Sequence, residues 1–195
     1  MTAPETISIE EMDEDILLSL FESCELPRRM WNHRAHVTVA YLYLRRYGWP
    51  EAIAKIREGI QTYNAVAGQG VGYHETITRT WMTLIHAVMQ NHGASDCARH
   101  FFNRHTYLLD KTLPLLFYSD ERIMSGEARK KFVEPDLMPL PDPAKKTLDQ
   151  AGLQREPIDV PIPRDPYEGT VHIRAEMCNS DWSNYKQFNY APSCG

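Results

Sequence analysis

Two segments decide the fold: Trp31–Tyr47, WNHRAHVTVAYLYLRRY, and Tyr73–Asn91, YHETITRTWMTLIHAVMQN. In each, apolar residues recur three and four positions apart, the spacing at which side chains share one face of an α-helix. Between them, residues 50–67 show the same spacing, and both connections are short. Short connections favour antiparallel neighbours in a bundle. The pattern predicts three helices that run up, down and up, so the first and third begin at the same end.

Further helical segments flank these three. Ser8–Glu11, SIEE, is a capping-box pattern. It predicts a helix that begins there and ends at about residue 23. Segments 95–118 and 120–133 are also expected to be helical, with Pro114 kinking the longer one or ending it early. We therefore predict a mainly α fold, an up-and-down bundle of five or six helices over residues 1–134.

The remaining sequence, residues 135–195, has a different character. Nine of the chain's 13 prolines lie between Pro135 and Pro192. Alternating apolar and polar residues over 171–177 predict one strand, and the segment Asp181–Tyr190 is rich in aromatic residues. We expect an irregular Pro-rich C-terminal arm that packs on the bundle through these aromatic side chains.

Composition narrows the class of protein. The 195 residues are 43% hydrophobic and 24% charged, which is typical of a soluble globular chain. The net charge is -5, yet residues 1–25 hold eight acidic side chains and no Lys or Arg. The other residues have a net charge of +3, which is too small to predict nucleic-acid binding. We also expect no membrane span. The four cysteines lie far apart in the sequence, which favours a cytoplasmic location with reduced thiols over a fold stabilised by disulfides.

Three histidines form the candidate site. His33 and His36 lie on the apolar face at the start of one helix, and His74 lies in the same position on another. Imidazole nitrogens bind zinc or iron, and three from facing helices would leave coordination positions for water or substrate. We therefore predict that His33, His36 and His74 bind one divalent metal ion. Tyr73, Glu75 and Arg34 are then the candidate catalytic residues beside it.

A structural interpretation of the same residues stays open. Histidines near helix starts often hydrogen-bond to a carbonyl or a hydroxyl and have no other role. Glu75 precedes Arg79 by four residues, so the two are expected to form a surface ion pair. An acidic residue in the first turn also complements the helix dipole.

The motifs His33-Arg-Ala-His36 and Tyr73-His-Glu-Thr-Ile-Thr78 resemble those of a family of small, uncharacterised bacterial helical proteins with the pattern HR-x-H and YHET-x-T. The resemblance covers about the first 120 residues and excludes the C-terminal arm. It implies a helical fold and directs attention to the two motifs, but it implies no reaction or cofactor.

The sequence thus supports two functions. The first is an enzyme that acts on a small-molecule substrate by hydrolysis or oxygen chemistry at the histidine cluster. The alternative is a non-catalytic interaction module that engages a protein partner through the acidic first helix or the aromatic tail. A homodimer in which tails exchange is one form of that alternative.

Overall fold

The computed structural model describes residues 8–67 and 72–142, and these residues form seven α-helices and no strand. The helices are α1 Glu14–Glu22, α2 His33–Arg46, α3 Trp49–Val66, α4 Glu75–His92, α5 Ala98–Arg104, α6 Asp120–Ile123 and α7 Gly126–Lys130. Short 3-10 turns span Arg28–Met30, Thr106–Leu109 and Leu113–Leu116. The mainly α fold is confirmed. The predicted strand at 171–177 and most of the arm lie outside the described residues.

Helix α2 is the centre of the bundle. Every residue from Val37 to Leu44 is buried, so the helix is enclosed on all sides rather than along one stripe. It packs against α1, α3, α4 and α5 and against the turn at Thr106–Leu109. A helix that is buried all round belongs to the core and not to the surface of a domain. The other elements therefore form a shell around α2.

Contacts between α2, α3 and α4 confirm the up, down and up order. His33 at the start of α2 lies against Trp81 of α4, with ring centroids 4.7 Å apart. Trp49 at the start of α3 contacts His86, which lies far along α4. Helices α2 and α4 consequently begin at the same end of the bundle, and α3 runs in the opposite direction between them. None of the helices in the described ranges is long and apolar enough to cross a membrane.

The acidic N-terminal segment faces basic residues of its own chain. Three acid–arginine pairs join this segment to α2: Glu10–Arg34, Glu14–Arg45 and Asp15–Arg46. The hydroxyl of Tyr43 adds a hydrogen bond of 3.0 Å to the Glu22 carboxylate. Exposed ion pairs contribute little free energy, typically about 0–1 kcal/mol each. Their main effect is to align α1 on α2 and to neutralise much of its charge.

Three predicted helix limits are wrong. The Ser8–Glu11 capping box forms only a turn. Helix α1 begins at Glu14, and its N-cap is Asp13, whose side chain accepts hydrogen bonds from two backbone amides. The segment predicted as one helix over 95–118 is α5 followed by two 3-10 turns, and α5 ends at Arg104, ten residues before Pro114. The segment 120–133 divides into α6 and α7, each with its own serine cap.

The first residues of the predicted arm contact the bundle. The Leu137 amide donates to the Phe117 carbonyl at 3.0 Å, and the Ser119 amide donates to the Asp136 carboxylate at 2.9 Å. These bonds attach residues 136 and 137 to the loop between the second 3-10 turn of this region and α6. The predicted domain limit at 134 and the packing of the rest of the arm stay predictions.

Helices α1 and α3 approach closely at Gly59. A Cβ atom there would lie 2.6 Å from Cε1 of Phe21, whose ring is fully buried and stacked on Trp31. The Phe21 ring cannot move aside without disturbing the stacked pair. Glycine is therefore required by the distance between the helices, although it lowers helix propensity by about 1 kcal/mol relative to alanine.

We predict that Gly59→Ala destabilises the protein by about 1–3 kcal/mol, because overpacking outweighs the gain in helix propensity. Gly126→Ala is the matched control, since nothing lies within 4 Å of the Cβ position at the start of α7. Urea unfolding of both variants measures the free energies. A Gly59→Ala variant more stable than the wild type would contradict the packing argument.

Candidate functional site

His74 is the N-cap of α4 and is buried, with 3% of its surface exposed. The Ile77 amide donates to its Nδ1 at 3.3 Å, so the ring proton of the neutral imidazole lies on Nε2. Nε2 then donates to the Ile123 carbonyl at 2.9 Å. Burial, with a smaller effect of Arg129, lowers the pKa of His74 to about 4. The imidazole is therefore neutral at pH 7 and uses both nitrogens to join the start of α4 to α6.

His33 and His36 share a face of α2 but contact different groups. His33, the first residue of the helix, is buried against the ring of Trp81. His36 stacks on Trp31 with ring centroids 3.9 Å apart. Burial is the main cause that lowers the pKa of His33 to about 4 and of His36 to about 3. Both rings are neutral at pH 7.

The structure does not bring the three histidines together as metal ligands. Within residues 8–67 and 72–142, no group of three or more His, Cys, Asp or Glu side chains is placed to hold a metal ion. Ligation by His74 would require breaking the bond to Ile77 or to Ile123. The zinc or iron site at His33, His36 and His74 stays a prediction for which the described residues offer no ligand set.

The polar network at the start of α4 was only partly predicted. Glu75 is the first residue of the helix, and only 8% of its surface is exposed. Its carboxylate accepts two hydrogen bonds from Arg57 of α3, from Nε at 2.9 Å and from Nη2 at 2.5 Å. The Tyr73 hydroxyl donates to the same carboxylate at 2.6 Å. We call these three residues, Arg57, Tyr73 and Glu75, the carboxylate network.

Opposing effects set the charge of the carboxylate network. Burial raises the pKa of Glu75, but the hydrogen bonds and charge of Arg57 and the Tyr73 hydroxyl outweigh it and leave the pKa below its ordinary value. Burial and then the Glu75 carboxylate raise the pKa of Tyr73, so its phenol stays protonated at pH 7. Glu75 is therefore ionised, and its charge is balanced by Arg57.

The predicted ion pair of Glu75 is wrong, and the catalytic role of Arg34 stays a prediction. Glu75 pairs with Arg57 rather than Arg79, whose guanidinium lies over the Phe132 ring at 4.4 Å from the centroid. Arg34, a candidate catalytic residue, pairs with Glu10 at 3.1 Å and is not part of the carboxylate network. Arg57 was missed because its partner lies 18 residues away on the next helix, and no local spacing indicates such a pair.

A small cavity lies beside the carboxylate network, between α2, α3 and α4. Its volume is about 30 Å³, and Gly72 and His74 form one wall. His36, Thr78 and Trp81 supply its other polar side chains, and the rest of the lining is apolar. His33 does not line it. The sequence predicted a pocket holding all three histidines, whereas two of them border this cavity.

A larger groove of about 550 Å³ lies on the other side of α4, between Arg79 and residues 132–142. Its lining contains no histidine and includes Glu134, Asp136 and Asp142. The groove is thus separate from the histidines and from the carboxylate network, and its size alone does not indicate a function.

No protein-family model, characterised protein or solved structure matches this chain. The resemblance of the HR-x-H and YHET-x-T motifs to an uncharacterised bacterial family stays a prediction.

We predict that His74→Ala lowers the free energy of unfolding by about 2 kcal/mol, because it removes a helix cap and leaves the Ile123 carbonyl without its bond. His74→Asn should cost about half as much, since asparagine is a strong N-cap residue. Urea unfolding measures both losses, and elemental mass spectrometry measures bound metal in the same samples. Stoichiometric zinc or iron that disappears in both variants would contradict the structural role and support the metal site.

A second prediction concerns pH. Below pH 6.5 the three buried histidines bind protons in the unfolded chain but not in the folded one, until the pH approaches 4 for His33 and His74 and 3 for His36. The unfolded state then holds more protons, so the free energy of unfolding falls as the pH falls from 6.5 to 4. The loss is on the order of 3 kcal/mol for each fully buried ring.

The measurement is urea unfolding at a series of pH values, with His36→Gln as the test variant. The slope of its free energy of unfolding against pH should be smaller than that of the wild type between pH 6.5 and 4. The difference should correspond to about one bound proton. Glu75 contributes in a different window, since a carboxylate with a lowered pKa loses its stabilising effect below about pH 4.5. An identical slope in His36→Gln and the wild type would contradict the proposed neutrality of His36.

Proposed function

We propose that this protein is an enzyme that acts on a small, oxygen-bearing molecule, and that its site is the carboxylate network. The observation that carries the proposal is the Glu75 carboxylate, which is ionised although it is 8% exposed. Ionised side chains are rarely buried unless a partner compensates them, and such groups are concentrated at functional sites. An arginine, a phenol and a helix start all compensate this one.

The donors of the network remain partly accessible. A guanidinium has five N–H groups, and the two bonds to Glu75 leave others available on Arg57. The Arg57 side chain is 40% exposed, and Tyr73 is half-buried. A carbonyl or carboxylate oxygen of a substrate would find hydrogen-bond donors there. Because the charges of Arg57 and Glu75 balance, the site does not repel a neutral or singly anionic molecule.

The network can also transfer protons. The Tyr73 phenol donates at 2.6 Å to the ionised Glu75 carboxylate, which can accept a proton from a water molecule. Of the two reactions expected from the sequence, hydrolysis requires only such acid–base groups. We therefore propose hydrolysis of a small ester in which water attacks the carbonyl carbon and gives its proton to Glu75. The Tyr73 hydroxyl then donates, together with Arg57, to the negatively charged carbonyl oxygen, and the proton on Glu75 passes to the departing alkoxide.

The ion pairs of the acidic N-terminal segment favour this proposal over the non-catalytic interaction module. The acidic first helix, which was expected to engage a protein partner, faces Arg34, Arg45 and Arg46 of its own chain. A partner would have to compete with these pairs. The aromatic tail, the other part of that alternative, lies outside the described residues, and the homodimer stays a prediction.

The experiment is turnover of chromogenic p-nitrophenyl esters, acetate and butyrate, with p-nitrophenyl phosphate as a second class of substrate. We predict that Tyr73→Phe lowers kcat/KM for the preferred ester by about 100-fold, the usual loss when one hydrogen-bond donor to the developing oxyanion is removed. The variant loses only a hydroxyl, so its melting temperature should change by no more than a few degrees.

Tyr47→Phe is the matched control, because Tyr47 is a half-buried tyrosine that contacts Lys55 and Tyr43 and lies outside the carboxylate network. Its turnover should equal that of the wild type. The proposal fails if the wild type turns over none of these esters, or if Tyr73→Phe retains full activity.

A further inference from the structure

We infer that the cavity between α2, α3 and α4 is a binding site for one small neutral molecule with a hydrogen-bond-accepting oxygen, water or a short alcohol, and that the indole N–H of Trp81 is its donor. This inference goes beyond the proposed ester hydrolysis and does not depend on it. Either can fail while the other holds.

The indole of Trp81 carries the inference. Trp81 is 5% exposed and lines the cavity. Its Nε1 is enclosed and has no hydrogen-bond acceptor within reach in the described part of the chain. An indole nitrogen can only donate. Since buried polar groups in native proteins are nearly always hydrogen-bonded, an occupant that accepts from Trp81 is expected.

The volume of the cavity limits the size of the occupant. About 30 Å³ exceeds the roughly 10–15 Å³ that a cavity needs in order to hold one water molecule. A water molecule needs two or more polar partners to be held, and Thr78, which also lines the cavity, carries a hydroxyl. The cavity is therefore both polar enough and large enough for one water, or for a short alcohol if the surrounding side chains adjust.

The lining also determines the charge of the occupant. Val37, Ala40 and Ile56 are among the apolar residues that surround the site, and no Asp, Glu, Lys or Arg of residues 8–67 and 72–142 lines it. An ion would lose its hydration without gaining an opposite charge. His36 and His74 also line the cavity, and both imidazoles are neutral at pH 7. A neutral molecule is consequently the only class that this lining suits.

The test is a solution NMR experiment on the full chain. The Trp81 indole proton is assigned by its disappearance in Trp81→Phe. We expect a cross-peak between this proton and a long-lived water molecule. We also expect methanol titration to move this resonance more than those of Trp31 and Trp49, with a cross-peak to the methanol methyl group. A Trp81 indole proton that shows neither water nor methanol cross-peaks would overturn the inference.

A cavity-filling variant provides a second, independent test. Ala40 is 4% exposed and lines the cavity, so Ala40→Val directs two further carbon atoms toward it. If an occupant is bound, the valine displaces it and leaves the Trp81 N–H without an acceptor, and the melting temperature falls. In a dry cavity the same substitution raises the melting temperature, which would contradict the inference.

Overpacking by valine could also lower the melting temperature, and the double variant Ala40→Val/Trp81→Phe separates the two causes. Without an N–H to satisfy, the valine should lower the melting temperature less than it does in the wild type. Additive effects of the two substitutions would show that Trp81 is not the donor and would overturn that assignment.

Discussion

The enclosure of α2 on all sides is the constraint on which the rest of the structure depends. A helix in this position must find a partner for every polar side chain that it carries, because water cannot reach them. The Tyr41 hydroxyl meets this demand by donating to the Ser95 carbonyl at 2.7 Å and accepting from the Ser95 amide at 2.9 Å. Tyr43 reaches Glu22 in the same way. Such bonds fix the loop after α4 and the end of α1 to the central helix.

The same demand explains why one end of the bundle contains both neutral histidines and an ionised glutamate. His33, His36 and His74 have mainly aromatic rings and backbone groups as neighbours, so burial lowers each pKa. Glu75 is as buried as they are, but a guanidinium holds its carboxylate in a bidentate pair. Burial alone would have raised its pKa, and the arginine reverses the direction. The local partner, rather than burial, decides which groups are charged.

Features encoded by local spacing could be predicted from the sequence, and features that depend on distant residues could not. The buried face of α4, from Ile77 to Val88, follows from residues three and four apart, and the structure confirms it. In α1 residue type does not identify the buried face, because Ile16 is 55% exposed while Leu17 and Phe21 face the core. The Arg57–Glu75 pair joins two helices, and it depends on the relative position of α3 and α4 along their axes. A sequence pattern within one helix cannot predict that position.

The candidate site illustrates why residue type alone was a poor guide to chemistry. Three histidines on helix starts predicted a metal, yet His74 uses both ring nitrogens to hold its own helix and α6 in place. Among the described residues, Arg57 keeps donors beyond its two bonds to Glu75, and Trp81 has a buried N–H. The proposed function at this end of the bundle therefore rests on groups that the fold leaves incompletely bonded. In that proposal the histidines line and support the site rather than bind a metal.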